Sequence, residues 1–381
     1  MNARSLDLAW MQEALALAER GLGRTRPNPA VGAVIVRNGR IVGRGFHRRA
    51  GAPHAECEAI RDAGAKARGA TLYVSLEPCA HHGRTPPCVP KILGAGIRRV
   101  VAAVRDPDPR VHGRGFRWLK REGIAVTSGV LEAEARALNA GYFRAHEDGR
   151  PRIALKLATS LDGKLAPAVG GSRWLTGPPA RRAAHALRSR HDTVLIGANT
   201  LRRDDPELTV RHVRVSASRQ PLRVVVSSDL DLPRSARLFR APLASGTVIA
   251  TVAPEHVARA KRRAFERRAA ALAKQGVTIW FLPRGAGGID LPTLLARLAH
   301  EGRQDVLVEG GARLAARLAD LGVVDDVWLF LSPTLLGGRA LPWAFGERAT
   351  SLPRAWRLAS AVTVPVGEDW VVHGRPARNG G

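Results

Sequence analysis

The sequence is short of cysteine, aromatic residues and lysine, and each shortage narrows what the chain can be. Three cysteines, an odd number without a recognisable export signal, do not build a disulfide framework. They suit a reducing compartment, where cysteine binds metal or does chemistry. No run of about 18 apolar residues occurs, so no transmembrane helix and no membrane partner are expected. The stretch from Met1 to Gly21 lacks the basic head and apolar centre of a signal peptide. It reads as an amphipathic helix with Leu8, Met11, Leu15 and Ala18 on one side, and the expected location is the cytoplasm. Phe and Tyr together number ten, which leaves few platforms for stacking nucleic-acid bases. Lysine is nearly replaced by arginine, 7 against 53. The net charge of +27 is spread evenly, +12 over residues 1–146 and +15 over residues 147–381. Without a basic tail or stripe, this charge fits arginine-rich, GC-biased coding better than a nucleic-acid footprint, and no nucleic-acid partner is expected.

At 381 residues the chain is long for one hydrophobic core, and two domains are expected. The most informative stretch runs from Pro53 to Cys88: His54-Ala55-Glu56, then Pro78-Cys79, eight residues, and Cys88. One imidazole and two thiolates hold tetrahedral zinc and leave a fourth position for water. Glu56 is then placed to move protons to and from that water, as the glutamate does in zinc deaminases of nucleobases. An isolated H-x-E carries little weight; here a strand, Pro-Cys and a second cysteine accompany it in order. Cys57 reads as a core thiol rather than a ligand, and His81 and His82 are rival ligands. His54 and Cys79 both fall near predicted helix starts, where a positive helix end favours thiolate. Nucleic-acid and cytidine deaminases space their cysteines by two residues; here the spacing is eight.

Around this stretch the pattern predicts an opening helix, a hairpin of Val31–Val36 and Arg40–Phe46 turned at Asn38-Gly39, and a helix after Pro53. Strands at Thr71–Leu76, Arg98–Val104 and Ile124–Thr127 follow, with a helix over Phe116–Glu122. Gly149-Arg150-Pro151 reads as a linker. Beyond it, strands at Ile153–Ala158, Thr193–Ile196, Leu222–Ser227, Thr247–Thr251, Val277–Leu282, Asp305–Val308 and Val327–Leu331 alternate with helices. These include one starting at Pro178 with Thr176 as its cap, and others over Val257–Lys274, Leu291–His300 and Ala312–Asp320. Both halves are α/β. Glu309-Gly310-Gly311 before a helix suits a phosphate, though a Gly-Gly turn alone is weak evidence. No GxGxxG follows the first strand, so a Rossmann site is unsupported.

The sequence resembles the bifunctional riboflavin-biosynthesis deaminase–reductases. The first half carries Pro27-Asn28-Pro29-Ala30-Val31-Gly32, His54-Ala55-Glu56 and the long block from Glu77-Pro78-Cys79 through His81-His82-Gly83-Arg84-Thr85-Pro86-Pro87-Cys88. The second carries Lys156 to Lys164, Asn199-Thr200, Asp204 to Arg211, and Glu309-Gly310-Gly311. The resemblance implies a cytidine-deaminase-like three-layer domain over residues 1–148 and a dihydrofolate-reductase-like domain over residues 151–376. It implies zinc held by His54, Cys79 and Cys88, proton transfer by Glu56, and Asn28 facing the pyrimidine. It further implies NADPH contacts at Ala158, Trp174, Thr200, Asp204, Ser228 and the turn Gly311, Ala312, Arg313 and Leu314. Ser172, Arg188, Leu208, Arg211 and Glu309 would hold the ribose phosphate of the substrate. The implied reactions are hydrolytic deamination of a phosphorylated pyrimidine and NADPH-dependent reduction of its ribosyl group, in a dimer joined through the reductase half. Lys156 and Asp205 are candidates for the acid of the second step. The alternative is a nucleic-acid-editing zinc deaminase with an appended nucleotide-binding domain; the eight-residue spacing and the scarce aromatics speak against it.

Overall fold

The computed structural model describes residues 3–83, 85–167, 174–213, 220–343 and 355–377. The chain divides into two compact units, Met1–Arg150 and Pro151–Gly381.

The first unit runs α1 (Ala3–Glu19), β1 (Gly32–Arg37), β2 (Arg40–Phe46), α2 (Ala55–Ala63), β3 (Thr71–Val74), α3 (Cys88–Gly94), β4 (Arg99–Ala102), α4 (Arg114–Arg121), β5 (Ala125–Ser128), α5 (Glu132–Leu138) and α6 (Ala140–Glu147). Its sheet has the order β2-β1-β3-β4-β5. β1 is antiparallel to β2 and β3, and β3, β4 and β5 are parallel. Asn38 and Gly39 close the hairpin at φ +49° and +68°, which these two residue types adopt at little cost. The sheet is apolar on both faces because helices cover both. Ile35, Leu72 and Val100 pack with α2, α3 and α4, whereas Val34, Tyr73 and Val101 pack with α1, α5 and α6. This is a three-layer α/β arrangement, as expected.

The opening helix buries a different stripe from the expected one. Leu8 is 37% exposed, while Asp7, Met11, Ala14 and Ala18 face inward. Asp7 is drawn in by Arg99 on β4, at 2.7 and 2.9 Å, and by the Tyr73 hydroxyl at 2.8 Å. A buried carboxylate needs such partners, and they set the rotation of the helix.

The second unit runs β6 (Arg152–Ser160), β7 (Lys164–Ala166), α7 (Pro178–Ser189), β8 (Thr193–Gly197), α8 (Ala198–Asp204), β9 (Leu222–Val226), β10 (Thr247–Val252), α9 (Arg259–Lys274) and β11 (Thr278–Leu282). After the short ribbon β12 (Arg284–Gly285) and β13 (Gly288–Ile289) come α10 (Leu291–His300), β14 (Asp305–Glu309), α11 (Ala312–Asp320), β15 (Asp326–Ser332), β16 (Leu341–Pro342), β17 (Leu358–Val366) and β18 (Asp369–Pro376). Nine strands form one sheet, β11-β10-β9-β8-β14-β6-β15-β18-β17. It is parallel from β11 to β15 and antiparallel at β18 and β17. Ile153, Leu155 and Val306 pack with α9, α10 and α11; Ala154, Leu307 and Phe330 lie under α7 on the other face. Thr176 does not cap α7. Gly177 stands at the cap, and its amide donates to the Asp369 carboxylate at 2.8 Å, so a distant strand holds the helix start.

Glycine permits the close approach that carries the H-x-E segment. A Cβ at Gly45 on β2 would fall 2.2 Å from the Ala55 carbonyl oxygen and 2.4 Å from the Ala59 nitrogen of α2. Gly45→Ala is expected to push α2 off the sheet and to lower unfolding free energy by about 1–3 kcal/mol. Gly39→Ala, with nothing within 4 Å but φ +68°, should cost about 1 kcal/mol. Urea midpoints of the two variants check this ranking.

Candidate active sites

In the first unit, three segments bring the sulfur and nitrogen donors together. His54 stands at the N-cap of α2, Cys79 follows the end of β3, and Cys88 opens α3. Their donor atoms all lie within 4.8 Å of one another. His54 Nδ1 is 3.5 Å from Cys79 Sγ and 3.3 Å from Cys88 Sγ. Tetrahedral zinc with Zn–S of ~2.3 Å and Zn–N of ~2.0 Å separates neighbouring donors by about 3.5 Å, so the donor set fits that ion. The expected helix start at Cys79 is instead at Cys88, whose backbone N–H donates to Cys79 Sγ at 3.3 Å. Cys79 therefore receives an amide at a helix start without belonging to a helix. His81 and His82 lie outside the donor trio, as does Cys57. Cys57 is half-buried rather than a core thiol, and its free thiol lies within hydrogen-bonding reach of the Cys88 thiol.

The protein groups alone share protons unevenly. Its hydrogen bond with Cys79 pushes the His54 imidazole up to about 9. Hydrogen bonding with Cys88 draws Cys79 down to about 4, whereas Cys88, bonded by Cys57 and Cys79 and fully buried, is pushed up. Glu56 is 3% exposed, and burial raises its carboxyl, which suits a group that both takes and gives a proton.

Two supports escaped motif reading. With Nδ1 facing the sulfurs, His54 Nε2 meets Thr85 Oγ1 at 3.0 Å, the outer hydrogen bond that orients a metal-binding imidazole. His47, 2% exposed, donates from Nδ1 to the Pro53 carbonyl at 3.0 Å. Its Nε2 therefore accepts from the Asn28 side-chain amide at 3.1 Å. Burial holds His47 below the usual imidazole range and so keeps it neutral. The Asn28 amide is thereby turned with its nitrogen inward.

Glu77 anchors the segment that carries Cys79. It is 3% exposed, and no cation pairs with it among the described residues. Its oxygens accept four backbone amides instead: Asp106 at 3.3 Å, Gly113 at 2.8 Å, Gly115 at 3.0 Å and Phe116 at 3.3 Å. A Cβ at Gly115 would fall 2.0 Å from the Pro78 oxygen, so α4 presses directly on the Pro78-Cys79 turn.

In the second unit the described members of the expected cofactor and substrate sets line one cleft of about 2050 Å³. Ser172 lies outside the described residues. Ala158 and Lys156 come from β6, Thr200 and Asp204 from α8, and Gly311 to Leu314 from the start of α11. Gly310 and Gly311 have φ +71° and +82°, and a Cβ on Gly311 would sit 3.2 Å from Thr200 Oγ1. Ser228 Oγ similarly lies where a Gly288 Cβ would be, at 2.4 Å. These glycines let Thr200 and Ser228 sit close at the cleft wall, where the start of α11 presents its amides as a phosphate needs, so the cleft fits NADPH. Trp174 is 53% exposed, with Arg181 5.1 Å from its ring centre. Asp205 is the exception among the candidate acids. It lies outside the cleft lining, and its carboxylate accepts from Arg237 at 2.8 and 3.3 Å. Its φ of +37° turns it away from Asp204.

Arg188 forks onto Glu309 at 2.6 and 2.8 Å and also donates to the Thr209 carbonyl. Burial alone would raise Glu309, but Arg188 and then Lys156 bring it down to about 2. Burial lowers the Lys156 ammonium, with Glu309 opposing.

Glu77→Gln turns an acceptor into a donor that faces donors; about 2–3 kcal/mol of stability should be lost, and zinc should be held more weakly in chelator competition. Because Glu309 titrates near 2 when folded and above 4 when unfolded, its stabilising contribution is complete above about pH 4.5 and lost as pH falls towards 2. The thermal advantage of the native chain over Glu309→Gln should therefore shrink over that interval.

Comparison with known proteins joins the two sites. Residues 4–104 match the cytidine and deoxycytidylate deaminase zinc-binding region, and residues 151–372 match the RibD C-terminal domain. The riboflavin biosynthesis protein RibD of Aquifex aeolicus is 40% identical over 97% of this chain and 98% of its own. That of Escherichia coli is 40% identical over 93% and 94%. Acinetobacter baumannii RibD superposes with a TM-score of 0.86 at 36% identity, covering 99% of this chain and all of the other. A Thermotoga maritima diaminohydroxyphosphoribosylaminopyrimidine deaminase/5-amino-6-(5-phosphoribosylamino)uracil reductase gives 0.81 at 33% identity over 99% of this chain. With both halves matched in order along nearly the whole length, the chain belongs to the RibD family, the zinc- and NADPH-dependent deaminase–reductases of riboflavin biosynthesis.

Proposed function

We propose that residues 1–148 deaminate 2,5-diamino-6-ribosylamino-4(3H)-pyrimidinone 5′-phosphate and that residues 151–376 reduce the ribosyl group of the product to ribityl. The observation that carries the first step is the convergence of His54 Nδ1, Cys79 Sγ and Cys88 Sγ beside a buried Glu56. These three residues would hold zinc, which supplies the acidity that makes water a nucleophile at neutral pH. Glu56 would take one proton from the attacking water and give it to the ring nitrogen; it would then carry the remaining hydroxyl proton of the tetrahedral adduct to the amine, so that the C–N bond breaks, the carbonyl forms and ammonia leaves. The Asn28 side chain, fixed by His47, orients the pyrimidine.

In the reductase cleft NADPH would supply a hydride to C1′ of the ribosyl group in its ring-opened imine form. The Gly311–Leu314 turn, Thr200, Asp204, Ser228, Ala158 and Trp174 would hold the cofactor. Arg188, Arg211, Leu208, Ser172 and Glu309 would hold the ribose phosphate. Guanidinium groups suit phosphate because they present paired donors. Lys156, partly buried in the cleft wall and lowered by desolvation there, is placed to give up a proton. The protein works in the cytoplasm, without a nucleic-acid partner, as a dimer through the reductase half. The edge strand β17 supports this assembly, with Val362 and Val364 56% and 48% exposed. No helix among the described residues is long and apolar enough to cross a membrane.

Ammonia release and NADPH oxidation, followed together on the purified chain with the pyrimidine ribotide, test the reading. Glu56→Gln should abolish ammonia release while zinc content and NADPH oxidation on the deaminated ribotide survive; loss of both activities would refute the division of labour. Zinc uptake displaces the protons held by His54 and Cys88, so zinc affinity should rise with pH between about 6 and 9. Proton release during zinc titration measures this directly.

A further inference from the structure

We propose that His185 is a substrate-binding residue of the reductase site, donating a hydrogen bond from Nε2–H to the 5′-phosphate of the ribose-bearing substrate beside Arg188 and Arg211. The proposal rests on the reading of that cleft given above and adds a residue to it.

The imidazole is locked in one tautomer. His185 stands on α7, one turn before Arg188, is 8% exposed and lines the cleft. The backbone N–H of Arg211 donates to its Nδ1 at 3.0 Å. An atom that accepts a hydrogen bond carries a lone pair, so the single N–H of the neutral ring sits on Nε2. The ring is kept neutral by burial first and by Arg188, Arg211 and His212 next, which together bring it down to about 4. His212 packs edge-on against it, centroids 4.9 Å apart at 79°, and a ring flip would forfeit the Arg211 bond. The result is one fixed donor.

That donor has no acceptor among the described residues. The ring is largely buried, but Nε2 itself opens to the cleft, where a water holds the N–H until a ligand oxygen takes its place. What the cleft lacks at this place is an oxygen, which a ligand would bring. The neighbouring groups point to an anionic one. Arg188 already spends one bond from each guanidinium nitrogen on Glu309 and Thr209, and Arg211 is paired with Glu207 at 2.6 Å. Each keeps further N–H groups beyond these bonds, and Glu207 is shared with Arg237, so directed donors and positive charge remain for an anion. The loop that delivers the Arg211 amide is conformationally forced, with φ +53° at Leu208 and +65° at His212. Such residues persist where the surrounding structure holds a segment in place.

The test compares the native chain with His185→Phe, which keeps an aromatic ring without the donor, and His185→Gln, which can restore a donor. Calorimetric binding of ribose 5-phosphate and of NADPH is measured for each, with KM and kcat for the deaminated ribotide. His185→Phe should bind ribose 5-phosphate about ten- to a hundredfold more weakly, the range for a hydrogen bond to a charged group. KM should rise in step, with NADPH affinity unchanged and kcat within a few-fold; His185→Gln should recover part of the loss. Unchanged ribose 5-phosphate binding in His185→Phe overturns the proposal. Equal weakening of NADPH also overturns it, because His185 would then only support the cleft wall. If His185→Phe does not fold, His185→Gln decides: intermediate binding of ribose 5-phosphate with intact NADPH binding supports the role, and native-like KM for a ribotide without its phosphate confirms the target atom. Failure of the native chain to bind ribose 5-phosphate or oxidise NADPH would instead bring down the reductase reading itself.

Discussion

The deaminase site depends on a buried carboxylate, Glu77, that no cation among the described residues pairs with. Glu77 is solvated by four backbone amides, and these come from the segment that leads into and begins α4. A carboxylate in that position is stable only while the amides point at it, and the amides point at it only while α4 begins where it does. The two constraints are reciprocal, and between them lies the Pro78-Cys79 turn, pressed by Gly115. Cys79 is thus positioned by an interaction made entirely of backbone and one side chain. Position then becomes chemistry: the Cys88 amide and sulfur reach Cys79 from the start of α3, and His54 reaches both from the cap of α2.

The reductase cleft uses a different solution to the same problem. Its buried charges, Arg188, Glu309 and Lys156, are grouped so that each offsets the burial cost of the next. The Arg188–Glu309 fork ties α7 to the end of β14, immediately before the Gly310-Gly311 turn. The first site is rigid because amides solvate an anion; the second is rigid because opposite charges interlock.

Much of this was legible in the residues, because the signals are local. Asn38-Gly39 fixes a hairpin by φ alone, and apolar runs bounded by Gly and Pro mark strands to within a residue or two. The ligand set was legible because zinc demands particular atoms, and the AHHGRTPP segment distinguished this chain from deaminases with a two-residue cysteine spacing. What stayed hidden depends on contacts between distant segments. Leu8 looked buried until Arg99 claimed Asp7 for the interior; Thr176 looked like a cap until Asp369 supplied the acceptor for Gly177. Asp205 was a candidate acid beside Lys156, but its carboxylate is turned to Arg237 and lies outside the cleft lining. Cys57 looked like core, yet it lies against the Cys88 sulfur.

The residues that no pattern revealed share a property: they act on the orientation of a neighbour through a single hydrogen bond. His47 sets the Asn28 amide, Thr85 sets the His54 ring, and the Arg211 amide sets His185. A rotated imidazole or a flipped amide exchanges donor for acceptor without moving any Cα, so the chemistry of both sites is decided at a scale finer than the fold. The sheet and helices bring the elements within a few ångströms; these bonds select which atom of each side chain is left for its other neighbours.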